Sequence, residues 1–167
     1  MDRVLDTAAL LHWPLERLSG GICASSQRRE LESVSETRSL LLEAANLDWR
    51  DAPPSWLDRA KQVASTSGDL PRLSDVDLDV LALAVGLSAV LVTDDYKLQN
   101  TFKAHGGVVE SVNTKGASQV WHWELRCLGC RATFPVPKDA QRSKKGAVGE
   151  CERCGSPTEM KRSKRRS

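Results

Sequence analysis

Residues 89–100, AVLVTDDYKLQN, run from an apolar segment straight into two adjacent carboxylates, Asp94 and Asp95. A short, continuous apolar run without polar alternation suits a strand covered on both faces, as in a parallel sheet. Working backward, VDLDVLALAV (76–85) is apolar on most sides and reads as a deeply placed helix, opened by the S-x-x-D spacing of Ser74 and Asp77 and stopped by Gly86. Working forward, YKLQNTFKAHGG reads as a short helix ended by Gly106, and VVESV as a further strand. The N-terminal RVLDTAALL repeats the strand-to-helix pattern, with Val4 and Leu5 in a strand, a break at Asp6, and Thr7 as helix N-cap. A helix is predicted from Ser26 to about Ala45, with Leu31, Val34, Leu41 and Ala45 near one face. Another is predicted from Ser55 and Asp58 toward Gly68. Strands alternating with helices predict an α/β fold with a parallel sheet.

The 167 residues leave room for one ordinary domain and a small satellite. The net charge of +2 hides a division. Residues 1–112 carry 11 Lys and Arg against 17 Asp and Glu, a balance of −6, and residues 113–167 carry 13 against 5, a balance of +8. A basic appendage on an acidic body suits a domain that holds a polyanion beside one that holds cations. The expected division is a body over 1–112, a linker over 113–124, a small metal-bound domain over 125–160 and a disordered basic tail over 161–167. No run approaches the roughly 18 apolar residues of a membrane span, and the N-terminus MDRVLD lacks a basic signal region, so a cytoplasmic protein is expected.

In open α/β sheets ligands bind beyond the carboxyl ends of the strands. Asp6 and the pair Asp94/Asp95 occupy such positions. Asp77 and Glu30, each in the first turns of a helix, are candidates for the same rim, with Glu32 and Glu36 as alternatives to Glu30. Such acids repel one another unless cations neutralise them, so their expected role is to hold one or two Mg²⁺ or Mn²⁺ ions for phosphodiester hydrolysis. Singly, each acid has a simpler use: Asp77 completes a capping box, Asp6 caps a turn, and a Glu on a charged helix is solvated. Position alone does not choose between Asp94 and Asp95.

CLGC (Cys127, Cys130) and CERC (Cys151, Cys154), with 20 residues between, follow the C-x₂-C…C-x₂-C zinc spacing. One structural Zn²⁺ is expected, with Gly129 and Gly155 supplying the tight knuckle backbone. Cys23 is expected to be a buried neutral thiol. Arg131, Lys144 and Lys145 at a loop tip, and Lys161, Arg162, Lys164, Arg165 and Arg166 in the terminal run are candidate phosphate contacts. Trp121 and Trp123 are expected to build the small domain's thin core, with base stacking as the alternative. His12, His105 and His122 lack metal-ligand spacing.

Taken in order, DTAALL, LSDVDLDVLALA, VTDDYKLQN and CLGC…CERCG resemble the archaeal PIN-domain endonucleases of small-subunit rRNA maturation, over most of the chain. The resemblance implies a PIN-like parallel sheet wrapped by helices and followed by a small four-cysteine zinc ribbon. It also implies metal-dependent cleavage of precursor small-subunit rRNA at its mature 3′ end, on the pre-ribosomal small subunit. It assigns the metal-binding, catalytic positions to Asp6, Glu30, Asp77 and Asp95, with Asp94 assisting and Thr93 orienting the loop. Ala8 stands where the family usually has Ser. The rival expectations are a toxin-type PIN ribonuclease, which the ribbon and basic tail disfavour because such toxins usually lack both, and an inactive RNA-binding assembly factor.

Overall fold

A computed structural model describes residues 1–113, 120–143 and 147–163. Five short strands, β1 (Arg3–Leu5), β2 (Ile22–Ala24), β3 (Asp48–Arg50), β4 (Val90–Val92) and β5 (Val109–Glu110), form a wholly parallel sheet in the order β3-β2-β1-β4-β5. The apolar run AVLV thus supplies β4, one strand from the sheet's edge. Parallel pairing demands crossovers, and these are α1 (Thr7–His12), α2 (Leu15–Leu18), α3 (Gln27–Val34), α4 (Glu36–Leu42), α5 (Pro54–Ser67), α6 (Asp75–Leu87) and α7 (Tyr96–Ala104).

Side chains alternate across each strand, and two cores follow from that period. Val4, Ile22, Ala24 and Leu91 face one cluster together with α5, α6 and α7 residues such as Ala60, Leu81 and Leu98. Leu5, Cys23 and Val92 face the other, with Leu10, Trp13 and Leu31 from α1 and α3. The near-continuous apolarity of α6 is explained by its place against β1, β2 and β4 on one side and α5 on the other.

The structure moves several helix boundaries. Asp6, not Thr7, caps α1, its carboxylate accepting the Thr7 N–H at 2.8 Å. The single helix predicted from Ser26 to Ala45 is two, because Ser35 is extended (φ −155°, ψ 101°) and caps α4 through the Arg38 N–H. The break shifts the helical face: Leu31 and Leu42 are buried, while Val34 and Leu41 are exposed. Helix α5 starts at Pro54 without a side-chain cap, so Ser55 and Asp58 do not open it, although Gly68 ends it in the left-handed conformation. Helix α6 runs past Gly86 to Leu87. Gly86 is a close approach and not a stop, since a Cβ there would land on the Trp56 ring.

A second sheet, antiparallel, has the order β7-β6-β8, with β6 (Trp123–Cys127), β7 (Thr133–Pro135) and β8 (Thr158–Arg162). Trp123 and Glu124, expected in the linker, open β6. Lys161 and Arg162, expected in the tail, close β8. The ribbon packs on the body: Leu125 and Val136 belong to the same apolar cluster as Val4 and Leu81, and Ser65 donates to the Val136 carbonyl at 2.7 Å. Trp121 and Trp123 are not that core. Phe134 and Met160 pack against it, whereas Trp121 is 36% exposed and both indoles are covered by arginines. The reason is that the body already supplies the apolar surface a free ribbon would have needed.

Candidate active site

β1 and β4 are neighbours in register, Leu5 opposite Val92, so the residues leaving their carboxyl ends emerge together. The Asp6 N–H bonds the Val92 carbonyl at 2.9 Å, and the Thr93 hydroxyl donates to Asp6 Oδ2 at 2.6 Å. Thr93 is fully buried and its Oγ1 also accepts the Asp95 N–H at 3.0 Å, so one hydroxyl ties the two acidic loops. Burial raises the Asp6 carboxyl from 3.8 to about 6. The Thr93 and Thr7 hydrogen bonds oppose that rise, and the carboxylates of Asp77 and Asp95 add to it. Asp77 and Asp95 thus lie near enough to act on the charge of Asp6.

Asp77 does complete a capping box, its Oδ2 accepting the Ser74 N–H at 2.9 Å while its own N–H bonds Ser74 Oγ at 3.1 Å. Asp95 caps α7, accepting the Lys97 N–H at 2.9 Å, with Lys97 Nζ 3.8 Å from its other oxygen. The structural uses of these acids coexist with their convergence, because a cap engages one carboxylate oxygen and the helix dipole tolerates the charge. Asp94 faces elsewhere: its carboxylate accepts the Val112 and Asn113 amides at 2.8 and 3.1 Å, fastening the exit of β5. Glu30 is exposed on α3 and is not among the groups acting on Asp6.

Two buried glutamines, which composition and spacing did not single out, brace this rim. Gln27 accepts the Ala24 N–H at 2.8 Å and donates to the Leu5 carbonyl at 3.1 Å, joining the ends of β2 and β1. Gln99 donates to the Thr93 carbonyl at 2.7 Å. Their only sequence signal is position, in the first turn of a helix following a strand. Arg38 likewise closes the C-terminal end of α1 by donating to the Leu10 and Trp13 carbonyls.

Among the described residues, the four cysteines are the one group of three or more candidate ligands whose donor atoms lie within 4.8 Å of one another. Tetrahedral Zn²⁺ with bonds of about 2.3 Å sets its sulfurs roughly 3.8 Å apart. Cys127 Sγ is 3.4 Å from Cys154 Sγ, and Cys130 Sγ 3.7 Å from Cys151 Sγ, which fits. Backbone amides of Gly129, Cys130 and Arg153 point at the Cys127 and Cys151 sulfurs, as thiolate ligands require. A Cβ on Gly129 would strike Ser156, and Gly155 has φ +74°, so both knuckles need glycine. Among the described residues no three carboxylates meet that 4.8 Å distance; ions that keep waters and take substrate phosphate need fewer direct protein ligands. Cys23 is buried, and desolvation pushes its thiol up to about 12, leaving it neutral. Arg131, Lys161 and Arg162 are exposed. Lys144, Lys145, Lys164, Arg165 and Arg166 lie outside the described residues.

Comparison with known proteins agrees with this architecture. Residues 4–87 match the family profile described as the PIN domain of ribonuclease. The Endoribonuclease Nob1 of Methanothermobacter thermautotrophicus is 31% identical over 171 residues, covering 97% of this chain and 94% of that protein. The Endoribonuclease Nob1 of Methanocaldococcus jannaschii is 29% identical, covering 98% and 79%. The Ribonuclease VapC1 of Thermoplasma acidophilum is 30% identical, covering 100% and 81%. This last match also runs over the ribbon residues of this chain. The chain belongs to the PIN-domain ribonuclease family, as a divalent-metal-dependent endoribonuclease whose four-cysteine cluster fits a zinc ribbon.

Proposed function

We propose that this protein cleaves precursor small-subunit rRNA at its mature 3′ end, in the cytoplasm, using Mg²⁺ or Mn²⁺ held by Asp6, Asp77 and Asp95. In this proposal the body over 1–112 cuts, and the ribbon, with one Zn²⁺ on Cys127, Cys130, Cys151 and Cys154, docks the RNA. The observation that carries it is the buried Asp6 carboxyl, whose proton affinity is raised by burial and further by Asp77 and Asp95. A divalent ion relieves that unfavourable charge, and when bound it activates water and steadies the leaving oxygen. The protein's own share is to fix the carboxylates. Thr93 and Thr7 orient Asp6, Ser74 orients Asp77, and the Lys97 backbone N–H orients Asp95. Glu30 and Asp94 are assigned outer roles, through water or through the loop. The rRNA substrate is supported by near-full-length similarity to two proteins named Endoribonuclease Nob1.

The test is cleavage of an RNA spanning the mature 3′ end in Mn²⁺. Asp6→Asn is expected to abolish cutting while retaining RNA binding; cutting at the wild-type rate by that variant would remove the site. The whole-chain match to Ribonuclease VapC1 favours a second substrate reading, transfer or messenger RNA cut by a toxin-type enzyme. Preferential cutting of those RNAs, with toxicity on expression, would decide for it.

A further inference from the structure

Between the start of α7 and the ribbon lies a cleft of about 270 Å³ lined by Arg72, Tyr96, Lys97, Trp121, Trp123 and Arg162. Three aromatic rings and three cations converge on it from four separate parts of the chain. Arg162 stacks 4.0 Å above the Trp121 ring and reaches Trp123 at 5.7 Å, while Arg72 covers Trp123 at 4.6 Å. A guanidinium seated over an indole still has N–H donors to offer a phosphate. Tyr96, the residue after Asp95, is 58% exposed and presents its ring to the cleft's mouth.

The walls are held in place before any ligand arrives. Asn100 pairs with the Trp121 backbone, accepting its N–H at 2.6 Å and donating to its carbonyl at 2.8 Å. Asp69 forms the floor, fully buried, with Oδ2 bound by Ser67, Asn100 and Thr101. Its Oδ1 has no hydrogen-bond partner and lies 3.7 Å from the Arg72 guanidinium, so that one cation of the cleft faces a carboxylate that solvent does not reach. Lys97 joins the cleft to the acidic rim, donating to the Arg72 carbonyl at 3.3 Å and standing 3.8 Å from Asp95.

We infer that this cleft is a nucleotide subsite, holding one base and its adjoining phosphate of a single-stranded RNA whose chain continues past Lys97 to the carboxylates. The inference rests on the ribonuclease reading above and adds where the strand lies. At 270 Å³ the cleft falls just under the roughly 300–1,000 Å³ of small-molecule sites, room for one nucleotide and not for a duplex. Stacking on aromatic faces reads any base, so this subsite supplies grip and direction instead of sequence choice.

The test uses the full chain without added divalent metal, so that binding is read apart from cutting. Its probes are a fluorescent single-stranded RNA and an abasic strand of equal length. Tyr96→Ala and Arg162→Ala, both at exposed positions, are each expected to weaken binding of the base-bearing RNA about tenfold. Tyr96→Ala should barely affect the abasic strand, and Tyr96→Phe should keep wild-type affinity. Wild-type affinity in the double variant would overturn the inference, as would equal losses on both strands for Tyr96→Ala or equal competition by polyglutamate, which would mark a surface for acidic polypeptide. The nuclease reading fails separately, if the wild-type protein with Mn²⁺ cuts no RNA whether or not it binds.

Discussion

At the residue scale, the buried Asp6 carboxyl makes stability depend on pH. The folded protein holds the Asp6 proton more tightly than the unfolded chain, whose carboxyl titrates near 3.8, because burial raises the folded value to about 6. The contribution to folding is therefore fully present below pH about 4 and is lost as pH rises through about 6, on the order of 3 kcal/mol in all. Thermal melts between pH 4 and 7 without added Mg²⁺ or Mn²⁺ should show this decline, and Asp6→Asn should lessen it, leaving the part set by the buried Asp69 carboxyl, which desolvation also raises. Saturating Mg²⁺ should restore the stability of the wild-type protein at pH 7. An Asp6→Asn curve parallel to the wild type would mean that another group governs the decline.

At the element scale, the rim depends on buried amides that fasten strand ends. Gln27→Ala leaves the Ala24 N–H and the Leu5 carbonyl unpaired in the core. The expected cost is about 3 kcal/mol or more, read as a lowered urea midpoint. Ser35→Ala removes only the α4 cap and is expected to cost about 1 kcal/mol. If the two variants were equally mild, the rim would not be held by Gln27. Gly86 has the same logic in reverse: α5 and α6 meet so closely at Trp56 that the helix interior has room for a hydrogen and not for a methyl group.

At the scale of the whole molecule, ribbon and body share a continuous apolar core through Leu125 and Val136. Mercurial modification of the thiols should release one Zn²⁺ per chain, measured with a chromogenic chelator. Because the core is shared, stripping the metal should lower the melting transition of the entire chain. A separate low-temperature ribbon transition, with the body unchanged, would show that the two fold independently. Among the described residues no helix is long and apolar enough to cross a membrane. The charge division gains a structural sense as well, since the cations Arg72, Lys97 and Arg162 come from both parts and meet at their junction.

The sequence alone determined what depends on local period and spacing. Apolar runs too short for helices and bounded by acids announced β1 and β4, the Ser74/Asp77 spacing announced a capping box that is present, and two C-x₂-C pairs announced a four-sulfur cluster whose geometry follows from short-range knuckles. It could not locate the break at Ser35, the three-residue strand β3 or the burial of Gln27, since each is decided by neighbours distant in the chain. Nor could position in the chain separate Asp94 from Asp95, which only the family resemblance ranked. Adjacent side chains differ in direction, and only the tertiary arrangement brought the Val112 amide to one and the field of Asp6 to the other. Convergence of side chains across parallel strands is a property of register and packing, which no local pattern encodes.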